Sequence, residues 1–207
     1  MSVSELSTST QNYLKAIWGL KEWSSEPVTA TLIAKQLGLK LSSVSDAVRK
    51  MAKQGLVSHT PYGSVELTEL GRQYALVMVR RHRLLESFLV QALGYTWDEV
   101  HNEAENLEHA VSDMLIERVD KFLDYPTRDP HGDPIPTVDG QITIPSAHRL
   151  TDSGAQSQVT VERISDSDPQ LLKFLEERGI VTGAVLSTRE GAPFSDSLEI
   201  QVAGGTQ

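Results

Sequence analysis

Over residues 7–23 apolar side chains return every three or four positions, so that Tyr13, Leu14, Ile17, Trp18 and Leu20 gather on one side. That period predicts an amphipathic helix, with Ser7, Thr8 and Ser9 as cap donors of oxygen. The pattern repeats in a shorter helix over 29–37, stopped by Gly38. A third helix follows, capped by Ser42 or Ser43 and burying Val44, Val48 and Met51, with its end near Gln54-Gly55. The period then drops to two: a strand at 56–60, a turn through Pro61-Tyr62-Gly63 and a return strand at 64–68 predict a hairpin. Thr68 starts a long helix that breaks near Gly94, and Thr96 starts another expected to run unbroken to residue 123. Five of the nine prolines fall in 126–147, which reads as a stiff, extended connection. Beyond it, "SQVTVERI" and "AVLSTRE" read as strands around one short helix, "DPQLLKFLEERG", as in a small β-barrel.

Helix, turn, helix and two-stranded wing is the layout of a winged helix-turn-helix. Charge supports that reading. The chain carries a net −9, yet residues 1–90 hold 11 basic and 7 acidic side chains, a balance of +4 that leaves −13 for the remainder. A basic module that meets a polyanion is thereby set beside an acidic one. Lys40 precedes the third helix, which presents Ser42, Ser43, Ser45, Asp46, Arg49, Lys50 and Lys53. Short hydroxyls near a helix start can approach base edges, while Arg49, Lys50 and Lys53 suit phosphates.

The acidic part holds "HNEAENLEH" at 101–109 in a chain without cysteine, which excludes disulfides and thiolate sites. At ~100° per residue, His101, Glu105, Glu108 and His109 fall within about 100° of one another on a helix. His82 and Glu86 stand at i, i+4 on the helix before. Imidazole plus carboxylate without sulfur is the donor set of a moderately hard divalent ion. The zinc-protease motif HExxH, the paired Glu-x-x-His of di-iron bundles and phosphate-binding glycine loops are missing from the sequence. His131 and His148 are expected at the surface. With 39% apolar and 23% charged residues, no apolar run long enough for a membrane span and no signal-peptide pattern, a cytoplasmic protein is expected.

"QNYLKAIW", "SSVSDAVRKMAKQGLV", "RRHRLLESFL", "WDEVHNEAENLEHAVSD" and "RDPHGDPIP" together resemble the diphtheria-toxin-repressor family of metal-dependent transcriptional regulators, in particular its manganese-responsive, MntR-type branch. The likeness covers nearly the whole chain. It implies a mainly α protein: a winged helix-turn-helix over 1–75, a helical dimerisation and metal-binding domain with the Pro-rich linker over 76–147, and an SH3-like domain over 148–207. The family's last domain normally continues for further strands, so this one is expected to be truncated. The resemblance implies a homodimeric repressor that binds a palindromic double-stranded DNA operator and controls metal-homeostasis genes. Neither a membrane nor a small-molecule substrate is implied. Mn²⁺ is the implied cofactor, Fe²⁺ the alternative, and Zn²⁺, Co²⁺ or Cd²⁺ substitutes. By position, the family's primary site corresponds to Asn12, Glu105, Glu108 and His109. Its ancillary site corresponds to His82, Glu86, His101 and Asp166, with Asp168 as rival to Asp166. Position 12 is Asn where iron-type members carry Met and many manganese-type members Asp, and position 105 is Glu where iron-type members carry Cys. The dimer face is expected to include Leu107, Val111 and Leu115. The rival readings are a metal-dependent hydrolase using Glu103 or Glu105 as base and a metal-independent winged-helix regulator.

Overall fold

The computed structural model describes residues 3–60, 63–192, 194–195 and 197–203. They divide into two compact units, one of Met1–His82 with Pro136–Gln141 and one of Arg83–Ile135 with Ile142–Gln207. Each has its own core.

In the first unit, α1 (Thr8–Glu22) is capped by Ser7, whose hydroxyl accepts from the Thr10 amide. Thr29 caps α2 (Ala30–Leu37) in the same way, and Gly38 ends it at φ 64°, a left-handed conformation suited to glycine. The third helix, α3 (Leu41–Lys53), starts at Lys40 with no side-chain cap. Ser42 and Ser43, expected as caps, instead occupy its first turn. Val44, Val48 and Met51 are buried on one side of α3 and join Leu14, Ile17 and Ile33 in one core. Burial of each such side chain stabilises the unit by about 1.5–3 kcal/mol. The hairpin is β1 (Val57–His59) paired antiparallel to β2 (Val65–Leu67), in register Ser58 opposite Glu66. Of the expected turn, Pro61 and Tyr62 lie outside the described residues. The Thr68 hydroxyl accepts from the Gly71 amide at 3.1 Å, capping α4 (Glu69–Leu93) as expected. The division between the units falls inside α4.

The second unit corrects the next expectation. The helix predicted over 96–123 is two, α5 (Trp97–Leu107) and α6 (Asp113–Phe122), the second capped by the Ser112 hydroxyl. A capping box of Thr96 and Glu99 starts α5. Val100 and Ala104 of α5 pack with Leu84, Leu85 and Leu89 of α4 and with Ile116 and Val119 of α6. Leu107 and Val111 pack against this core too, so of the three expected dimer-face residues only Leu115 is exposed, beside Met114 and Phe122. The Pro-rich stretch is more than a spacer: Asp129, His131 and Asp133 within it are buried. Gly132 stands at φ 89°, and a side chain there would strike the Glu162 carbonyl. Further on, α7 (Pro169–Glu176) accompanies a three-stranded antiparallel sheet of β3 (Gln158–Thr160), β4 (Val185–Glu190) and β5 (Leu198–Val202), in order β3-β4-β5.

Candidate metal centre and nucleic-acid interface

The apolar side of α3 is committed to the core, so its polar side is left to solvent. Lys40, Ser42, Ser43, Asp46, Arg49, Lys50 and Lys53 are exposed, and Ser45 is half-buried. Three of these already have partners within the helix. The Ser45 hydroxyl donates to the Leu41 carbonyl at 2.9 Å, and Arg49 forms an ion pair with Asp46 one turn away. Leu39 and Leu41 are exposed beside them, at 45% and 50%. The surface is a helix start carrying small hydroxyls, followed by a turn carrying lysines.

The candidate ligands are carried mainly by α4, α5 and the loops that follow. Helix α4 presents His82 and Glu86 one turn apart, both buried. Glu86 is fully buried; its Oε1 lies 3.3 Å from His101 Nδ1 on α5. Asp166 Oδ2 lies 3.0 Å from the same nitrogen. Asp168, the rival, is exposed and caps α7 by accepting from the Gln170 and Leu171 amides. Glu86, His101 and Asp166 each offer a ligand atom within 4.8 Å of the others. Burial disfavours a charged His101, but the hydrogen bonds and charges of Asp166 and Glu86 outweigh it and push the imidazole up to about 10. Two carboxylates converging on one imidazole thus create a strong local demand for positive charge.

His101 Nε2 lies 3.9 Å from Glu105 Oε1, one turn further along α5. Glu105 and Glu108 bring carboxylate oxygens within 4.8 Å of each other. Glu108, fully buried, is the C-cap of α5 rather than a residue inside a longer helix, and His109 follows in the turn with Nε2 3.4 Å from Glu108 Oε1. His109 therefore joins the two glutamates because α5 ends, and not through the helical spacing expected for it. Asn12 belongs to the other unit, on α1; its Oδ1 is buried and has no hydrogen-bond partner. The donors are all nitrogen and oxygen, two carboxylates and an imidazole in each of the clusters Glu86–His101–Asp166 and Glu105–Glu108–His109. Such a set fits a hard to borderline divalent cation.

One group escaped the sequence reading. His131, expected at the surface, is fully buried, while His148 is exposed as expected. Asp129 Oδ1 accepts from the His131 and Asp133 amides, both at 2.9 Å, and closes the turn. Arg83 Nε lies 3.6 Å from Asp129 Oδ2, Arg83 Nη2 lies 3.5 Å from Asp133 Oδ2, and Arg163 pairs with Asp133. Burial, then the charges of Glu86 and Asp133, raise the Asp129 carboxyl well above its usual range against the pull of Arg83 and His131. Burial opposes charging of His131, yet Glu86 and Asp129 carry it up to about 9. The available signal was the alternation of charged residues with Pro and Gly in "RDPHGDPIP", a rigid turn able to aim three polar side chains.

Comparison with known proteins agrees with these features. The family description "Iron dependent repressor, N-terminal DNA binding domain" matches residues 5–65. "Iron dependent repressor, metal binding and dimerisation domain" matches 68–137, and "FeoA domain" matches 148–207. The iron-dependent repressor IdeR of Mycobacterium tuberculosis is 35% identical over 194 residues, spanning 88% of this chain and 84% of that relative. Among solved structures, a manganese-dependent transcriptional repressor in complex with manganese is 48% identical, with a TM-score of 0.90, covering 95% of this chain and 90% of that one. ScaR with bound Zn²⁺ is 32% identical at a TM-score of 0.81, covering 94% and 90%.

Proposed function

The chain belongs to the diphtheria-toxin-repressor family of metal-dependent transcriptional repressors, and from that premise we propose that it is a manganese-activated repressor that binds a palindromic operator as a dimer. Membership makes it a DNA-binding regulator with a dimerisation domain and not an enzyme, so the hydrolase reading falls away. The observation that carries the metal assignment is the sulfur-free donor set, together with a buried Asn12 oxygen that lacks a partner.

In this proposal Asn12, Glu105, Glu108 and His109 hold the activating ion, and His82, Glu86, His101 and Asp166 hold the ancillary one. When bound, the ion supplies two positive charges and coordination bonds directed at oxygen and nitrogen. Glu105 and Glu108 are like charges side by side, and their repulsion is relieved in the metal-bound state. Asn12 contributes its orphaned carbonyl oxygen and thereby ties α1, and the α3 helix packed with it, to the residues that end α5. His109 and Glu108 keep their contact at the end of α5. The paired α3 helices of a dimer then reach major-groove sites roughly one turn, ~34 Å, apart. The population shifts because the DNA-competent arrangement holds the ion better than the alternatives do.

Iron activation is the reading suggested by the names of the curated relatives. It is disfavoured by Glu105 and Asn12, since neither offers the sulfur that would soften the site. The test is an anisotropy titration on duplexes selected from a randomised pool, with Mn²⁺, Fe²⁺ or Zn²⁺ as the variable. Mn²⁺ should support salt-sensitive binding that a chelator abolishes. Binding indifferent to the chelator would overturn the proposal in favour of a metal-independent winged-helix regulator, and stronger activation by Fe²⁺ than by Mn²⁺ would overturn the metal choice.

A further inference from the structure

We propose that Lys15 is a built-in competitor of the ancillary ion: it holds His82 in the metal-free protein and has to release it before His82 can bind a metal. Lys15 stands on α1 and His82 on α4, 67 positions apart in the chain, and both belong to the first unit. The Lys15 Nζ atom lies 3.4 Å from Nδ1 of His82. His82 is buried and Lys15 is half-buried, so water and salt screen the contact only in part.

The exclusion follows from where the hydrogens must sit. An ammonium has donors and no acceptor, so this contact needs the lone pair of Nδ1. In the neutral ring the hydrogen is then on Nε2. A metal-bound imidazole is arranged differently: one nitrogen gives its lone pair to the ion and the other carries the hydrogen. If the ion takes Nδ1, it takes the electron pair that Lys15 uses. If it takes Nε2, the hydrogen moves to Nδ1 and faces the ammonium, donor against donor. Either nitrogen gives the same result, and repulsion between ion and ammonium adds to it. Lys15 stands three positions after Asn12 on α1, so the two share one side of that helix. An ion on His82 thus unties α1 from α4 on the side where Asn12 stands, which gives the ancillary ion a route to the DNA-binding unit.

The inference rests on the assignment of His82 to the ancillary set, and the experiments separate the two. Crystal structures of the wild-type protein are determined with chelator and with Mn²⁺. The Lys15–His82 contact is expected with chelator, and is expected to be broken once an ion is bonded to His82. A contact that persists beside a bound ion overturns the competition and leaves the ancillary site standing. No ion on His82 overturns the ancillary assignment and the inference with it. Calorimetry supplies the second readout, in a His109→Ala background where the ancillary ion titrates alone. Lys15→Met should tighten Mn²⁺ binding about tenfold, the low end for loss of a charge-assisted contact. Lys15→Arg, which keeps a charged donor, should bind like its parent. Unchanged or weaker binding in Lys15→Met overturns the proposal. Equal tightening in both variants overturns it too, because the effect then comes from lost packing and not from the charged donor. Should Lys15→Met fail to fold, the two wild-type structures decide.

Discussion

The Nδ1 atom of His101 lies 3.0 Å from the carboxylate of Asp166, a residue 65 positions later in the chain. Asp166 stands four residues beyond Glu162, whose carbonyl closes over Gly132. The turn that buries His131 thus neighbours the loop that carries Asp166 to His101.

This pair predicts a pH dependence of two opposite kinds. Asp166 and Glu86, against the effect of burial, raise the folded-state pKa of His101 from 6.5 to about 10. For the metal-free protein the resulting stabilisation is complete below 6.5 and is lost as pH rises toward 10. Thermal unfolding with chelator present should show the melting temperature falling over that window, and His101→Gln should flatten the fall. Metal binding has the other sign, because the ion must displace the proton. In His109→Ala protein, Mn²⁺ affinity at the His101 cluster should weaken by about tenfold for each unit of pH lowered between 8 and 6.5. A pH-independent affinity would remove His101 from the ligand set.

The two proposed sites should not be equivalent. In the proposed arrangement His109 is a ligand of the activating ion, so His109→Ala should abolish metal-dependent DNA binding. His82→Ala removes a side chain assigned in this proposal to the ancillary set, and should raise the Mn²⁺ concentration for half-maximal binding while leaving the plateau in place. Equal loss from both, in the anisotropy titration, contradicts the division.

On α3, Arg49→Ala and Lys50→Ala should weaken binding to all duplexes and reduce the slope of log affinity against log salt by about one each. The Asp46 ion pair engages Arg49 in the free protein, so Lys50→Ala is expected to be the larger loss. Changes at Ser42 should alter sequence preference instead. Unchanged affinity and slope in both variants would mean that another surface meets DNA.

Metal choice should turn on position 105. Mn²⁺ binds most weakly in the divalent series, so hard ligands must favour it over softer competitors. Glu105→Cys should shift activation toward Fe²⁺ and Zn²⁺, and Asn12→Ala should uncouple metal binding from DNA affinity. The ranking of half-activating metal concentrations is the readout, and an unchanged ranking removes Glu105 as the selective residue.

The buried turn carries a stability prediction. Asp129→Ala takes one of two carboxylates from the buried Arg83 and the acceptor from the His131 and Asp133 amides. The expected cost is about 3–5 kcal/mol, read from denaturant unfolding with chelator present. A loss under 1 kcal/mol would show that the turn closes without Asp129.

Much of this protein is written locally. The caps at Ser7, Thr29 and Thr68, the glycine stop at Gly38 and the hairpin follow from short-range rules, because a cap or a turn involves only neighbours in the chain. The i, i+4 pair His82–Glu86 was legible for the same reason. The sequence alone also determined which side of α3 would be polar, since the spacing of Val44, Val48 and Met51 leaves no other choice. Tertiary structure decided the rest. The break between α5 and α6 is not marked by Pro or Gly; it delivers His109 beside Glu108 through a turn that helical spacing does not foresee. Asp166 and Asp168 offer the same chemistry two residues apart, and only packing gives one to His101 and the other to the cap of α7. His131 reads as one histidine in a proline-rich stretch, and its burial depends on Arg83, Arg163 and Glu86 from distant parts of the chain. Periodicity records which side of a helix is buried, whereas the choice of partner for a buried polar group is a long-range fact, settled by where folded elements come together.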